Sequence, residues 1–157
     1  MKKVKFKLEP GAVAPIKATD GSVGYDLFVY GSHCIYPGRN AVRTGLSIQL
    51  PEGFEAFQLP EGFEATVRPR SGCSLKGIPD ECNLRHNADA LLGTIDTDYR
   101  GEVKLIVNNH EDVEFFLENG QRIAQLVISP VFTGVAEVVD ELDDTERGDN
   151  GFNSTGV

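Results

Sequence analysis

GEVKLIVNNHEDVEFFLENGQRIAQLVISPV, residues 101–131, decides the fold class. Val103, Leu105 and Val107 recur every second residue, the period of a strand with one face buried. VEFFL (113–117) and RIAQLVISPV (122–131) are short apolar runs rich in β-branched and aromatic residues. Glu118-Asn119-Gly120 between them is a hairpin-type turn. Working outward, the same grammar repeats. Val4, Phe6 and Leu8 alternate with lysines, and YDLFVYG (25–31), HCIYPGR (33–39), LSIQL (46–50), EATVRPR (64–70) and AEVVDEL (136–142) are further strand candidates. A helical turn or two is expected near 73–77. With 17 Gly and 8 Pro marking frequent turns, the class is all-β, a barrel or sandwich.

At 157 residues with 40% hydrophobic content, one domain with a real core is expected, burying ~70% of its unfolded surface. The formal charge of −9 argues against duplex DNA or an anionic membrane as partner. It leaves room for a small anionic ligand, because a pocket can gather a few arginines locally. No apolar run approaches the ~18 residues of a membrane span. MKKVKFKLEP lacks the apolar stretch of a signal peptide, so an intracellular, cytoplasmic protein is expected. Cys34, Cys73 and Cys82 read as reduced thiols. His33, His86 and His110 do not combine with them at zinc spacing.

Two segments stand apart. LPEGFEA occurs at 50–56 and again at 59–65, and an odd insertion in a strand would reverse every later side chain. One copy should therefore bulge or lengthen a hairpin, leaving EATVRPR in register. IPDECNLRHNADAL (78–91) is polar and irregular and reads as a surface loop. From Asp140 the chain turns acidic and then glycine-rich, so the globular part should span 1–140.

Several segments could carry chemistry. RPRSGCS (68–74) sets two arginines beside a Ser-Gly pair at a strand end. Guanidinium forks match phosphate oxygens, and glycine lets backbone amides approach an anion, although an ordinary arginine-bearing turn looks the same. GTIDTDYRGE (93–102) offers Asp96, Asp98 and Tyr99, and a carboxylate near a polyphosphate can activate water; a solvated acidic turn is the bland reading. In GYDL (24–27), Asp26 sits in an apolar strand start, where a buried carboxylate needs partners. GQRIAQLVI (120–128) carries Arg122 and Gln125 on a core-like strand. The terminal RGDNGFNSTGV (147–157) can be a frayed tail, an Arg-Gly-Asp adhesion tripeptide, or an arm that folds over a ligand with Phe152 as a flat face.

Taken in order, SVGYDL (22–27), RPRSGCSLKG (68–77), GTIDTDYRGEV (93–103), GQRIAQLVI (120–128) and RGDNGFNSTG (147–156) closely resemble the five motifs of the trimeric dUTPases, over essentially the whole chain. The resemblance implies a jelly-roll-like β subunit, a homotrimer with shared active sites, and hydrolysis of dUTP to dUMP and pyrophosphate with Mg2+ on the triphosphate. Such a reaction limits uracil incorporation into DNA and supplies dUMP for thymidylate synthesis. It implies Asp96 as the base that orients water toward the α-phosphorus, and Tyr99 as the platform under the deoxyribose. The backbone around Gly93 and Ile95 would read uracil. Arg70, Ser71, Gly72 and Gln125 would bind phosphate, and Asp26 would hold water around the magnesium. Residues 141–157 would be an arm closing over a neighbouring site, with Phe152 on uracil and Arg147, Ser154 and Thr155 on the γ-phosphate.

The chain also departs from the family pattern. Asp149, Asn150 and Asn153 stand where glycine or another small residue is usual, Cys73-Ser74 replaces a common Leu-Ala, and Ala90 stands where bacterial members place Asn. The stretch from Ser74 to Asp96 is several residues longer than usual. Two other readings therefore accompany the first: a dCTP deaminase or bifunctional relative on the same scaffold, and a trimer that binds nucleotide or a protein partner without turnover.

Overall fold

The computed structural model of the chain describes residues 3–51, 61–132, 134–146 and 148. In chain order the elements are β1 (Lys5–Leu8), β2 (Tyr25–Phe28), β3 (His33–Ile35), β4 (Gly38–Gln49), β5 (Glu61–Pro69), α1 (Ser71–Lys76), β6 (Ile78–Pro79), β7 (Arg85–His86), β8 (Ala88–Ala90), β9 (Gly93–Ile95), β10 (Glu102–Asn109), β11 (Phe115–Leu117) and β12 (Arg122–Phe132). Among the described residues two four-stranded antiparallel sheets form, ordered β1-β4-β10-β8 and β2-β12-β5-β9, with two-stranded pairs β11-β3 and β6-β7 beside them. This is the sandwich form of the expected all-β class, with no closed barrel among the described strands.

The alternation read from 101–109 is realised in β10, where Val103, Leu105, Val107 and Asn109 point inward. Val42, Leu46 and Ile48 of β4, Leu27 of β2, Val67 of β5, and Ile123 and Leu126 of β12 join them in one core. Burying each such side chain contributes roughly 1.5–3 kcal/mol. The buried Asn109 amide donates to the carbonyls of Ile35 and Val113, at 3.2 and 2.8 Å, so this polar group inside the core is satisfied.

Three expectations change. The stretch 136–142 forms no strand, and Val135 and Val138 are almost fully exposed; among the described residues the last strand ends at Phe132. The second LPEGFEA copy supplies the start of β5, which pairs with β12 from Glu61↔Phe132 to Pro69↔Ala124. Residues 52–60, which hold most of the first copy, lie outside the described residues. The helix begins earlier than read, at Ser71.

The third change concerns 78–91, which is not a surface loop. β6 and β7 form a small hairpin, β8 joins β10, and Ile78, Ala88 and Ala90 are buried. Polarity misled because the polar residues bond one another. Asp80 Oδ1 accepts the amides of Cys82 and Leu84, closing the turn. His86 stacks on Phe115 with ring centroids 4.3 Å apart, and its nitrogens meet Glu111 at 2.9 Å and Asp80 at 3.2 Å.

Burial alone would lower the His86 pKa, but the bonds to Glu111 and Asp80 outweigh it and raise it above the ordinary 6.5. The bond from His86 holds Glu111 below 4.5, and Asp80 is drawn below 3.8, because bonds from His86 and two amides outweigh its burial. The imidazolium's stabilisation is complete below its unfolded pKa and is lost as pH rises through the raised value. The carboxylates' stabilisation is complete above their unfolded values and is lost as pH falls through the lowered ones. Both are present between about 4.5 and 6.5. His86→Gln should therefore lower the melting temperature by roughly 2–4 °C in that window and by less at pH 8. Melting curves across pH check this; a deficit that grows toward pH 8 would contradict it.

Candidate active site

Two clefts flank the β2-β12-β5-β9 sheet. The first, about 490 Å3, is lined by Ser22, Gly24, Asp26, Arg68, Arg70, Ser71 and Gln125 among others. The second, about 400 Å3, is lined by Gly93, Ile95, Asp96, Tyr99, Glu102 and Val67 among others. Val67 and Arg68 are successive residues of β5, so they point to opposite faces. The two halves of the expected site therefore lie on opposite faces of β5.

The register builds the first cleft. Gln125 of β12 pairs with Asp26 of β2 on one side and Arg68 of β5 on the other, which aligns the three in a row across the sheet. Asp26 is only 7% exposed. Its carboxylate is satisfied from two sides, with Arg70 Nε at 3.0 Å on Oδ1 and Arg122 Nη1 at 3.1 Å on Oδ2. Arg70 Nη1 also donates to the Arg122 carbonyl at 3.3 Å. Gln125 Nε2 donates one hydrogen to the Pro69 carbonyl at 3.1 Å, which leaves its second hydrogen for an anion. Arg68 and Arg70 line the cleft against the single carboxylate of Asp26, which Arg122 also neutralises, so the cleft is locally positive on an acidic chain. Ser71 and Gly72 open α1 directly after Arg70, and first-turn amides of a helix have no carbonyl four residues back within it.

Arg122, which the sequence places with Gln125 on a core-like strand and to which the motif resemblance gives no role, joins this cluster. In a regular strand, residues 122 and 125 would face opposite ways. The β12–β2 register shifts between Arg122 and Ala124, and that irregularity returns Arg122 to the side of Asp26 and Gln125.

The second cleft grows from β9, an edge strand held by β5 through Ala65↔Ile95 and Val67↔Gly93. Asp96 follows β9 immediately, and its carbonyl accepts the Tyr99 amide at 3.2 Å, closing a turn with Asp98 at its apex. Asp96 lines the cleft and Asp98 does not. Thr97 Oγ1 donates to the Phe63 carbonyl at 2.8 Å, tying the turn to β5. Arg100 donates to the carbonyls of Thr97 and Tyr99, at 2.6 and 2.9 Å, and stiffens it further. A Cβ at Gly93 would meet nothing within 4 Å. The chain itself therefore does not demand glycine there, whereas a ligand laid against that backbone would. Arg147, Phe152, Ser154 and Thr155 lie outside the described residues.

A guanidinium-lined cleft on one face of the sheet and an exposed carboxylate in a cleft on the other suit the class of proteins that bind an anionic ligand next to water. A family model described as dUTPase matches residues 11–156. A deoxyuridine 5'-triphosphate nucleotidohydrolase of Hydrogenobaculum sp. is 42% identical, covering 100% of this chain and 99% of the relative. One from Clostridium novyi is 41% identical over 100% of both. The solved structure of Staphylococcus bacteriophage 80alpha dUTPase with dUPNHPP is similar at a TM-score of 0.80 and 26% identity, covering 100% of both chains. The chain belongs to the dUTPase family.

Asp26→Asn keeps the shape of the carboxylate and removes its charge, leaving two guanidiniums together. The expected loss of unfolding free energy in urea is about 1–3 kcal/mol. An unchanged unfolding midpoint would show that the two arginines are held without it.

Proposed function

We infer that this chain hydrolyses dUTP to dUMP and pyrophosphate. The observation that carries the reading is the sorting of the family's motifs into two coherent clefts, one basic and one bearing Asp96, within a chain that matches the family from residue 11 to 156. Uracil and deoxyribose occupy the second cleft, with the Gly93–Ile95 backbone against the base edge and Tyr99 under the sugar. Asp96 accepts a proton from water as the water oxygen bonds to the α-phosphorus. The bond from that phosphorus to the oxygen shared with the β-phosphate breaks, and pyrophosphate leaves. Arg70, the Ser71 and Gly72 amides, and Gln125 stabilise the charge that builds on the phosphate chain.

Because these groups line opposite faces of one sheet, one subunit does not complete a site. A homotrimer in which the Asp96 cleft of one chain meets the basic cleft of another satisfies the geometry. Residues 141–157 serve as the arm, with Phe152 on the base and Arg147, Ser154 and Thr155 on the γ-phosphate, excluding water on closure.

Magnesium fits as part of the substrate. Both Asp26 oxygens already accept guanidinium bonds, and among the described residues no group of three or more His, Cys, Asp or Glu is placed to hold a metal ion. The ion is thus carried by the triphosphate, and Asp26 meets it no more closely than through water. Bound there, it offsets phosphate charge.

Pyrophosphate release with magnesium, from dUTP beside dCTP, dTTP and UTP, tests the reading, and turnover of dUTP alone is expected. Asp96→Asn should reduce it by ~10²–10⁴-fold, and removal of residues 146–157 should reduce it sharply with folding intact. A dUTP-dependent thermal shift without pyrophosphate release would favour a binding protein. Release of ammonia from dCTP would favour a deaminase.

A further inference from the structure

Tyr99 lies beyond the end of β9 and is 45% exposed, so its own strand does little to fix its ring. Two features hold it. The ring lies against Gly101, where a Cβ would overlap the phenol oxygen and Cζ. The hydroxyl donates to the Glu102 carbonyl at 3.1 Å. The side chain of Glu102 is in turn held at three points. Arg43 Nε lies 3.1 and 3.0 Å from its two oxygens, and the Gly45 amide donates to Oε1 at 2.8 Å.

These contacts clasp an irregular piece of sheet. β10 shifts register against β4 between Glu102 and Lys104, and Gly45 adopts φ +63° in the middle of β4. The hydroxyl of Thr44 donates to the Val103 carbonyl inside the same bulge. From the other side, the Arg43 guanidinium lies 5.1 Å from the centre of the Tyr30 ring, and the Tyr30 hydroxyl is anchored on the Pro10 carbonyl. Burial pushes the Glu102 carboxyl up, but the Gly45 amide and Arg43 more than reverse this and leave it below its usual range. Glu102, Tyr99, Asp96 and Gly93 line one cavity.

We propose that the Arg43–Glu102 ion pair is a positioning device for Tyr99 and thereby sets how strictly the enzyme refuses a ribonucleotide. The proposal rests on the reading of Tyr99 as the platform under the sugar. Half-exposed ion pairs contribute only about 0–1 kcal/mol to stability, so stability alone is a weak reason for a doubly bonded pair at this bulge. Position is a stronger one. Excluding a 2′-hydroxyl requires the ring to sit within a fraction of an ångström of its place, and a ring in a turn keeps that precision only if its anchor is itself locked. The chain of contacts is direct, from Arg43 to the Glu102 carboxylate, from Glu102 through its backbone carbonyl to the phenol, and from the ring to the sugar.

The test is the ratio of kcat/KM for dUTP to that for UTP. Arg43→Met keeps the apolar stem over Tyr30 and removes the fork; Glu102→Gln keeps an acceptor for the Gly45 amide and removes the charge. Each should lower the ratio about 5- to 30-fold, through a higher KM for dUTP and faster UTP turnover, with kcat for dUTP in Arg43→Met within about threefold of wild type. The double variant should be no worse than either single, because both break one link. Arg43→Lys, which retains a cation and disturbs folding least, should fall between wild type and Arg43→Met. Folded variants with an unchanged ratio, or an equal loss on both nucleotides as a merely structural role predicts, would overturn the proposal. If the wild-type protein does not prefer dUTP over UTP, the reading of Tyr99 falls and the proposal with it; a wild-type preference that the variants keep removes the proposal alone.

Discussion

A carboxylate held between two guanidiniums governs the layout of this protein. Asp26 lies almost out of reach of water, and a charge there is tolerated only because Arg70 and Arg122 approach it from two sides. The three residues come from β2, the link between β5 and α1, and the start of β12. Removing a partner from such a cluster is more damaging than never having built it, because the remaining charges stay desolvated. The same cluster concentrates positive charge on a chain whose formal net charge is −9, which reconciles an acidic protein with an anionic substrate.

The second governing constraint is the strand period of two. Consecutive residues of β5, Val67 and Arg68, line different clefts. A site that needs both the Asp96 turn and the Arg70 cluster is therefore divided by the sheet that carries it. The proposed homotrimer would bring together what the pleat separates, with residues 141–157 as its proposed arm.

Much of this was legible in the sequence. The β10 strand could be read residue by residue, because one face is buried and the other solvated. The five motifs carried the family, and the clefts collect Asp26, Arg70, Ser71, Gln125, Gly93, Ile95, Asp96 and Tyr99 as two groups. What could not be read depends on irregular pairing or on bonds between polar groups. Arg122 joins Asp26 only through a register shift in β12. Glu102 and Arg43 meet across a bulge, 59 residues apart, and no local pattern announces them. The 78–91 segment looked like a loop because its polar residues satisfy one another around His86 while Ile78, Ala88 and Ala90 fill the core. The stretch 136–142 has the composition of a strand but no neighbouring strand to pair with among the described residues, and composition alone does not make one.

The central claim is that the two clefts of one active site belong to different copies of this chain. It is tested most directly by mixing two inactive variants, Asp96→Asn and Gln125→Ala combined with Arg70→Ala, after co-refolding them in equal amounts, and measuring pyrophosphate release from dUTP. Each parent alone should be nearly silent. With random assembly about three quarters of the trimers are mixed, and in each of these one site in three combines an intact Asp96 cleft with an intact basic cleft, so activity should return to roughly a quarter of wild type. Activity that stays at the level of the parents, in a mixture shown to contain hybrid trimers, would mean that a single chain supplies both halves and would contradict the account.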